Sequence, residues 1–443
     1  MMNLAVVALL VLQVRAFSCE GSSSRQPPLT PSRARTTKLA AEMSSSPDSL
    51  PTLPRIIRST DGFNNADQKL RPNGEDESTQ SSLSSSFSTK LVVHWDVNET
   101  ILIGDDAGGD TRDDCLNKVI AKSAFVKIPK EQQQLNMRST DATKGVTPTH
   151  WWDGTPIDGT TADLGKPADS APLPPLYTGW TWPKGCCPYY RTSLKERSSR
   201  FTENDGRMYR ALYDKLQDQV SFPYAHGDFS DVLSHIIPAA FETMKALWKR
   251  DQPVRFVFRT FGSDLEDIAD VVTTFAEGRH PAHADFQAKE LRLGRENLFR
   301  GRWTDDGEDY QLFSNDGKTL LAIGDEAILD FLATKPVCGI QDDYSHWAKN
   351  GYQPWSGKPV WVPSDRGTHH VLLDDNIHNL EDDSIASVRR QQSDGTFRTL
   401  SGSETQNCQG LFLIRVPTVE PILDEQWFVR AIDEAQSRFA ASR

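Results

Sequence analysis

The chain has 443 residues, a formal charge of −12 and a hydrophobic fraction of 37%. That length holds one large domain with insertions, or two domains. The acidic balance argues against non-specific binding to nucleic acid or to an anionic membrane, while leaving room for a local cationic pocket. Six cysteines are spread without zinc spacing, and Cys186 and Cys187 are adjacent, which suits neither a C-x-x-C redox pair nor a metal site.

In chain order, residues 4–14 (LAVVALLVLQV) form a short apolar run. It is too short to span a bilayer comfortably and has the length of a signal-peptide core, so a signal peptide is expected over 1–16. Residues 22–37 are rich in Ser, Arg, Pro and Thr and poor in acids, the composition of a transit peptide. With the Ala16-Phe17 junction between them, the two segments resemble the bipartite leaders of algae with secondary plastids, which implies a plastid address. The alternative is a secretory signal followed by a spacer. Residues 43–90 stay polar and Ser-rich, too poor in apolar surface to offset the entropy of ordering, so 17–88 is expected to be transit peptide and disordered linker. No later stretch is long and apolar enough to cross a membrane, and none is expected to in the mature form.

From Leu91 the texture changes. Leu91-Val92-Val93-His94-Trp95 predicts a buried strand that ends in Asp96. Residues 104–223 are long and irregular, dense in Trp, Pro and Gly. The pattern of 229–250 predicts an amphipathic helix, kinked or restarted at Pro238. A strand is expected over 254–260, ending in Thr260, and a helix over 264–275. Residues 311–313 and the turn Asn315-Asp316-Gly317 suggest a hairpin, and a short helix is expected over 326–333. Lys358 precedes Val360-Trp361-Val362. A third buried strand, 369–373, ends in Asp374-Asp375, and a fourth lies near 411–416, before a closing helix over 424–439. Strands separated by helices mean an α/β protein with a largely parallel sheet, and such sheets carry function at the carboxyl ends of their strands. The acid pairs Asp342-Asp343 and Asp382-Asp383 read as solvated faces, and His94, His369 and His370 as core or rim residues.

A strand ending in Asp96 with Thr100 beyond it, a strand ending in Thr260, then Lys358, then a strand ending in Asp374-Asp375: this order resembles the haloacid dehalogenase-like (HAD) hydrolase superfamily. The resemblance covers residues 91–443 and implies a HAD-like Rossmannoid core over 89–103 and 224–443 with a mostly parallel sheet. It implies an inserted cap over 104–223, the whole forming one domain over 89–443, and a second insertion near 279–352. It also implies roles. Asp96 is the expected nucleophile, attacking phosphorus to give an aspartyl-phosphate. Mg²⁺ is the expected cofactor, held by Asp96, the backbone carbonyl of Asn98, and Asp374 or Asp375. Thr260 would hydrogen-bond a phosphoryl oxygen, Lys358 would neutralise charge with Lys349 competing for that role, and Thr100 would brace the loop.

The chain departs from the pattern at Asn98, where phosphatases of this superfamily usually carry a second aspartate. An amide cannot transfer a proton at a useful pKa, and acid–base help is commonly worth about 10²–10⁴-fold. Glu99 lies next door but is expected to point elsewhere. The expected function is therefore a Mg²⁺-dependent phosphatase or phosphotransferase on a small phosphorylated metabolite. The alternatives are a catalytically weakened or non-catalytic binding or regulatory protein on this fold, and a dehalogenase-like hydrolase.

Overall fold

The computed structural model describes residues 56–57, 89–104, 109–127, 148–157, 176–177, 183–192, 195–220, 235–365, 367–377 and 384–442. The signal-peptide region 1–16, and 17–88 apart from Ile56–Ile57, lie outside the described residues, as do Asp382-Asp383. Ile56–Ile57, inside the stretch expected to be linker, forms a two-residue strand parallel to Leu176–Tyr177.

Eight strands form the central sheet: β1 (Lys90–Asp96), β2 (Val254–Thr260), β3 (Leu298–Trp303), β4 (Tyr310–Ser314), β5 (Leu320–Ile323), β6 (Val337–Gln341), β7 (Thr368–Asp374) and β8 (Leu413–Arg415). Their spatial order is β8-β7-β1-β2-β6-β3-β4-β5. The six strands from β8 to β3 are parallel, and the β4–β5 hairpin extends that sheet antiparallel. The protein is thus a mixed α/β fold with a largely parallel sheet. From β1 the chain lays down β2 and then β3 to β5 at the far edge, inserts β6 between β2 and β3, and returns to add β7 and β8 on the other side of β1. The strand order therefore reverses between β1 and β7. In open α/β sheets, ligands bind at the carboxyl ends of strands beside such a reversal.

The alternation of β1 explains its place. Leu91, Val93 and Trp95 enter the large apolar cluster on one face, while Val92 joins the cluster on the other. Trp95 is fully buried, edge-on to Phe428 at 5.4 Å and stacked on Phe256 and Phe258. The face that carries Trp95 is covered by α1 (Arg112–Ser123), α2 (Arg210–Val220), α3 (Pro238–Trp248), α4 (Leu265–Ala276) and α7 (Trp427–Ala441), while α5 (Asp325–Ala333) gives Ile328 and Leu332 to the cluster on the other face. On α1, Thr111 is the N-cap of a complete capping box with Asp114. The described part of 104–223 shares this one apolar core with the sheet, through residues such as Leu116, Ile120, Trp151 and Phe201.

Two expectations are corrected, and Lys358 gains a place in the fold. The helix drawn over 229–250 begins at Pro238, which occupies its first turn, where a missing N–H costs nothing; of the earlier part, only 235–237 is described, and it is not α-helical. The stretch 279–352, read as an insertion, supplies β3 to β6, and β6 lies directly against β2. Short strands with Gly301 and Gly339 inside them gave little β signal. Lys358 opens a strand, Lys358–Val362, of a separate three-stranded sheet with Ala386–Gln391 and Phe397–Thr399.

Candidate active site

Parallel pairing of β1 with β7 matches Trp95 to Leu373, so Asp96 and Asp374 end neighbouring strands at the reversal point. Oxygen atoms of Asp96, Asp374 and Asp375 all lie within 4.8 Å of one another, and all three residues are buried. The Lys358 ammonium bridges two of them, touching Asp96 Oδ1 and lying 2.9 Å from Asp374 Oδ2. It also lies 5.2 Å from the centre of the Phe261 ring. Lys349, its competitor in sequence, ends the short helix α6 (Tyr344–Lys349) and is exposed. The geometry brings in Lys358 alone.

Thr100 braces the loop as expected. Its hydroxyl donates to Asp96 Oδ2 at 2.8 Å and accepts from the Asp375 N–H at 3.2 Å, joining the two strand ends. The Asn376 N–H donates to Asp374 Oδ1 at 2.8 Å and its amide to Asp375 Oδ1 at 3.0 Å. Thr260, at the end of β2, donates from Oγ1 to Asn98 Oδ1 at 2.9 Å and accepts from the Gly262 N–H at 2.8 Å. Its proton is thus directed at the amide that stands where a second aspartate was looked for.

Glu99 turns away from Asp96. Its φ of 57° puts a non-glycine residue in the left-handed region, and its carboxylate meets Lys122 and, at 3.9 Å, Lys118. Lys122 sits on α1 and also pairs with Asp375. Sequence reasoning missed Lys122, which lies far from Asp375 in the chain and belongs to no local spacing pattern. The sequence reading gave no signal for it, since its helix fell inside the stretch 104–223 that was read as irregular.

The electrostatics follow from crowding. Burial and the facing Asp374 carboxylate push the Asp96 carboxyl well above the usual range, against the pull of Lys358. Burial also raises Asp375, opposed by Lys122 and helped by Asp374. Lys358 and Lys122 hold their protons above the ordinary lysine value. Burial works against both, but Asp374 and Asp96 outweigh it for Lys358, and Asp375 and Glu99 for Lys122. Among the described residues, Asp96, Asp374, Asp375, Glu99 and Asp110 share three ammoniums, Lys358, Lys122 and Lys118, so the full set carries surplus negative charge when ionised.

A buried polar layer adjoins the site, starting from Arg259, the register partner of Asp96 on β2. Arg259 binds Asp342 through Nε (2.9 Å) and Nη2 (2.5 Å), and Tyr310 donates to the same carboxylate at 2.5 Å. His94 Nε2 and His370 Nδ1 lie 2.9 Å apart. The histidines are core residues, as expected. Asp342, read as part of a solvated face, is 5% exposed and paired. Asp343, beside it, caps α6 by accepting from the His346 N–H.

No helix among the described residues is long and apolar enough to cross a membrane. No family model, curated protein or solved structure matches the chain.

Proposed function

We propose that this protein is a HAD-like hydrolase, a Mg²⁺-dependent phosphatase or phosphotransferase that acts on a small phosphorylated metabolite through an aspartyl-phosphate on Asp96. The observation that carries the reading is the convergence of Asp96, Lys358 and Asp374-Asp375 at the reversal point of a parallel sheet, with more carboxylates than ammoniums.

The donor set fits a hard divalent cation. It is made of oxygen, it is buried, and its surplus negative charge calls for positive charge from outside the chain. Asp96, Asp374 or Asp375, and the backbone carbonyl of Asn98 would hold it. When bound, Mg²⁺ supplies the charge that lets an anionic nucleophile approach an anionic phosphate.

The chain's own residues account for the remaining steps. One Asp96 oxygen forms the new bond to phosphorus while the ester P–O bond breaks, and Lys358 and Thr100 hold that carboxylate in place. Thr260 exchanges Asn98 for a phosphoryl oxygen as its acceptor. The departing alkoxide takes its proton from water, since Asn98 has none to give. Water then attacks the phosphorus of the aspartyl-phosphate, releasing phosphate and restoring the carboxylate. A carbon–halogen cleaver is disfavoured, because the surrounding carboxylates repel a departing halide. The Thr260–Asn98 hydrogen bond favours the catalytically weakened form as the second reading.

The test is phosphate release from a panel of phosphate esters and acyl phosphates with Mg²⁺. Asp96→Asn is expected to abolish turnover and the trapped acyl-phosphate. Asn98→Asp is expected to raise ester hydrolysis by about 10²-fold or more. No turnover by either the native chain or Asn98→Asp would sink the enzymatic reading.

A further inference from the structure

Beside Lys358, at the carboxyl ends of β2 and β6, stands a group of aromatic rings that the proposed chemistry leaves unused. Phe261 follows Thr260 at the end of β2, and Tyr344 and Trp347 lie on α6, just beyond the end of β6. Phe261 stacks on Trp347 at 5.0 Å, and Tyr344 meets Phe261 edge-on at 5.8 Å. Tyr352 completes the group, edge-on to Trp347 at 5.0 Å. The centre of the Phe261 ring is 5.2 Å from the Lys358 ammonium, which touches Asp96, so this wall begins one side chain away from the nucleophile.

The wall is fixed to the sheet. The Asp342 N–H donates to the Thr260 carbonyl at 2.7 Å, and the Gln341 amide donates to the Gly262 carbonyl at 2.8 Å, which ties the loop carrying Phe261 to β6. Tyr352 has φ 60°, a left-handed conformation that bulky residues rarely adopt, and its N–H donates to the Trp347 carbonyl at 2.9 Å. Such strain persists only where the surroundings over-determine it, and it concentrates at active sites and ligand clamps. The wall is nevertheless open to solvent. Tyr344 is 49% exposed, the highest value of any large hydrophobic side chain among the described residues.

Two features of the site limit what can leave. Its carboxylates outnumber its ammoniums, so a further anionic group on the departing part is repelled. The neighbours of Asp96 also give it no proton. Asn98 is an amide, Glu99 is held by Lys122 and Lys118, and Lys358 keeps its proton above the ordinary lysine value. Asp374 and Asp375 are taken up with the cation in the proposed reaction. An alkoxide, whose parent is about as weakly acidic as water at about 15.7, leaves poorly without a proton donor. A phenolate, whose parent titrates near about 10, needs far less help.

We propose that Tyr344 and Phe261 form a wall for a neutral aromatic ring on the leaving group, and that the substrate is an aryl phosphate, the phosphate ester of a phenol. The inference rests on the phosphoryl-transfer reading and narrows its substrate. The bond from an Asp96 oxygen to phosphorus forms as the bond from phosphorus to the phenolic oxygen breaks. The electron pair departs with the phenolate, which takes a proton from water, and a second water releases phosphate from Asp96. Contact between the rings positions the ester against the nucleophile.

The experiment uses the full chain with Mg²⁺ and three esters. Phenyl phosphate has the ring on the leaving oxygen, benzyl phosphate has the ring but leaves as an alkoxide, and glycerol 3-phosphate has no ring. Ring contact is expected to give the two aromatic esters KM values about fivefold below that of glycerol 3-phosphate. Phenyl phosphate is expected to have a kcat about tenfold or more above that of benzyl phosphate, and Asn98→Asp to narrow the gap. Tyr344→Ala is expected to raise KM for both aromatic esters by about fivefold, with a penalty within about twofold on glycerol 3-phosphate, and Tyr344→Phe to recover most of the loss. Equal KM values in the native chain, or an equal penalty on all three esters in Tyr344→Ala, would overturn the wall. A kcat for phenyl phosphate no higher than for benzyl phosphate would overturn the aryl ester. If no ester turns over, equilibrium titration with phenyl phosphate and glycerol 3-phosphate decides separately. Tighter binding of phenyl phosphate that Tyr344→Ala removes keeps the wall while the hydrolase reading falls, and equal or absent binding removes both.

Discussion

Arg259 and Asp342 form a buried ion pair beside the candidate site, with Arg259 in register with Asp96 on the neighbouring strand. Both side chains are essentially inaccessible, and Tyr310 and the Pro359 carbonyl complete their hydrogen bonds. Removing one partner from a buried pair leaves an uncompensated charge, which costs about 3–5 kcal/mol. Asp342→Ala is therefore expected to lower unfolding free energy by about that amount in urea titrations. A loss below about 1 kcal/mol would mean that water reaches Arg259. Replacing both residues with apolar ones of similar volume is expected to cost far less than either single change. Little of this pair was legible in the sequence. Asp342-Asp343 looks like any acidic turn, and only the pairing of β6 with β2 reveals that the first acid faces an arginine. The catalytic candidates were easier, because Asp96, Thr260 and Asp374 each end a strand with a clear apolar run before it.

Among elements, the strand that opens with Lys358 has little tolerance for added bulk. Gly357 precedes it, and a Cβ added there would lie 2.0 Å from the Ile385 carbonyl oxygen. That oxygen accepts the Lys358 N–H at 2.7 Å. Gly357→Ala must push the strand away from its neighbour and draw the ammonium off Asp96. The expected outcome is a loss of phosphate release larger than the loss of folded protein, read by activity beside circular dichroism. Unchanged activity in a folded variant would remove Lys358 from the mechanism. The strands that were legible, β1, β2 and β7, are seven residues long and rich in branched and aromatic side chains. Those that were missed, such as β3 and β6, are short or carry a glycine, and their stability comes from tertiary pairing that no local window contains. Lys122 was missed for the same reason. The helix that holds it is a local feature, while its contact with Asp375 is a product of the whole fold.

At the scale of the molecule, burial of imidazoles couples stability to acidity. Burial, then His369 and Arg255, push His370 down to about 3. In the unfolded chain it titrates near 6.5. The unfolded state therefore binds a proton that the folded state refuses between those values. The stability this group contributes is complete above about pH 6.5 and is lost as the pH falls toward about 3. Relative to His370→Gln, the native chain is expected to lose up to about 1.4 kcal/mol per pH unit from pH 6.5 to 5. The comparison cancels contributions from Asp96 and Asp375, whose raised carboxyls act in the opposite direction. Parallel stability curves for the two proteins would show that His370 takes up its proton in the folded state.

The place of β1 between β2 and β7 bears on how the chain reaches this fold. The strand that carries Asp96 emerges first of the eight, yet its neighbours begin at Val254 and Thr368. Both flanks stay unpaired while most of the chain is made, which is a topology of high contact order, slow to form and exposed to wrong pairing. Asp96 cannot meet Asp374 until synthesis has passed the latter. A nascent chain thus holds no assembled site, and Asp96, Lys358 and Asp374 come together only when the fold is nearly complete.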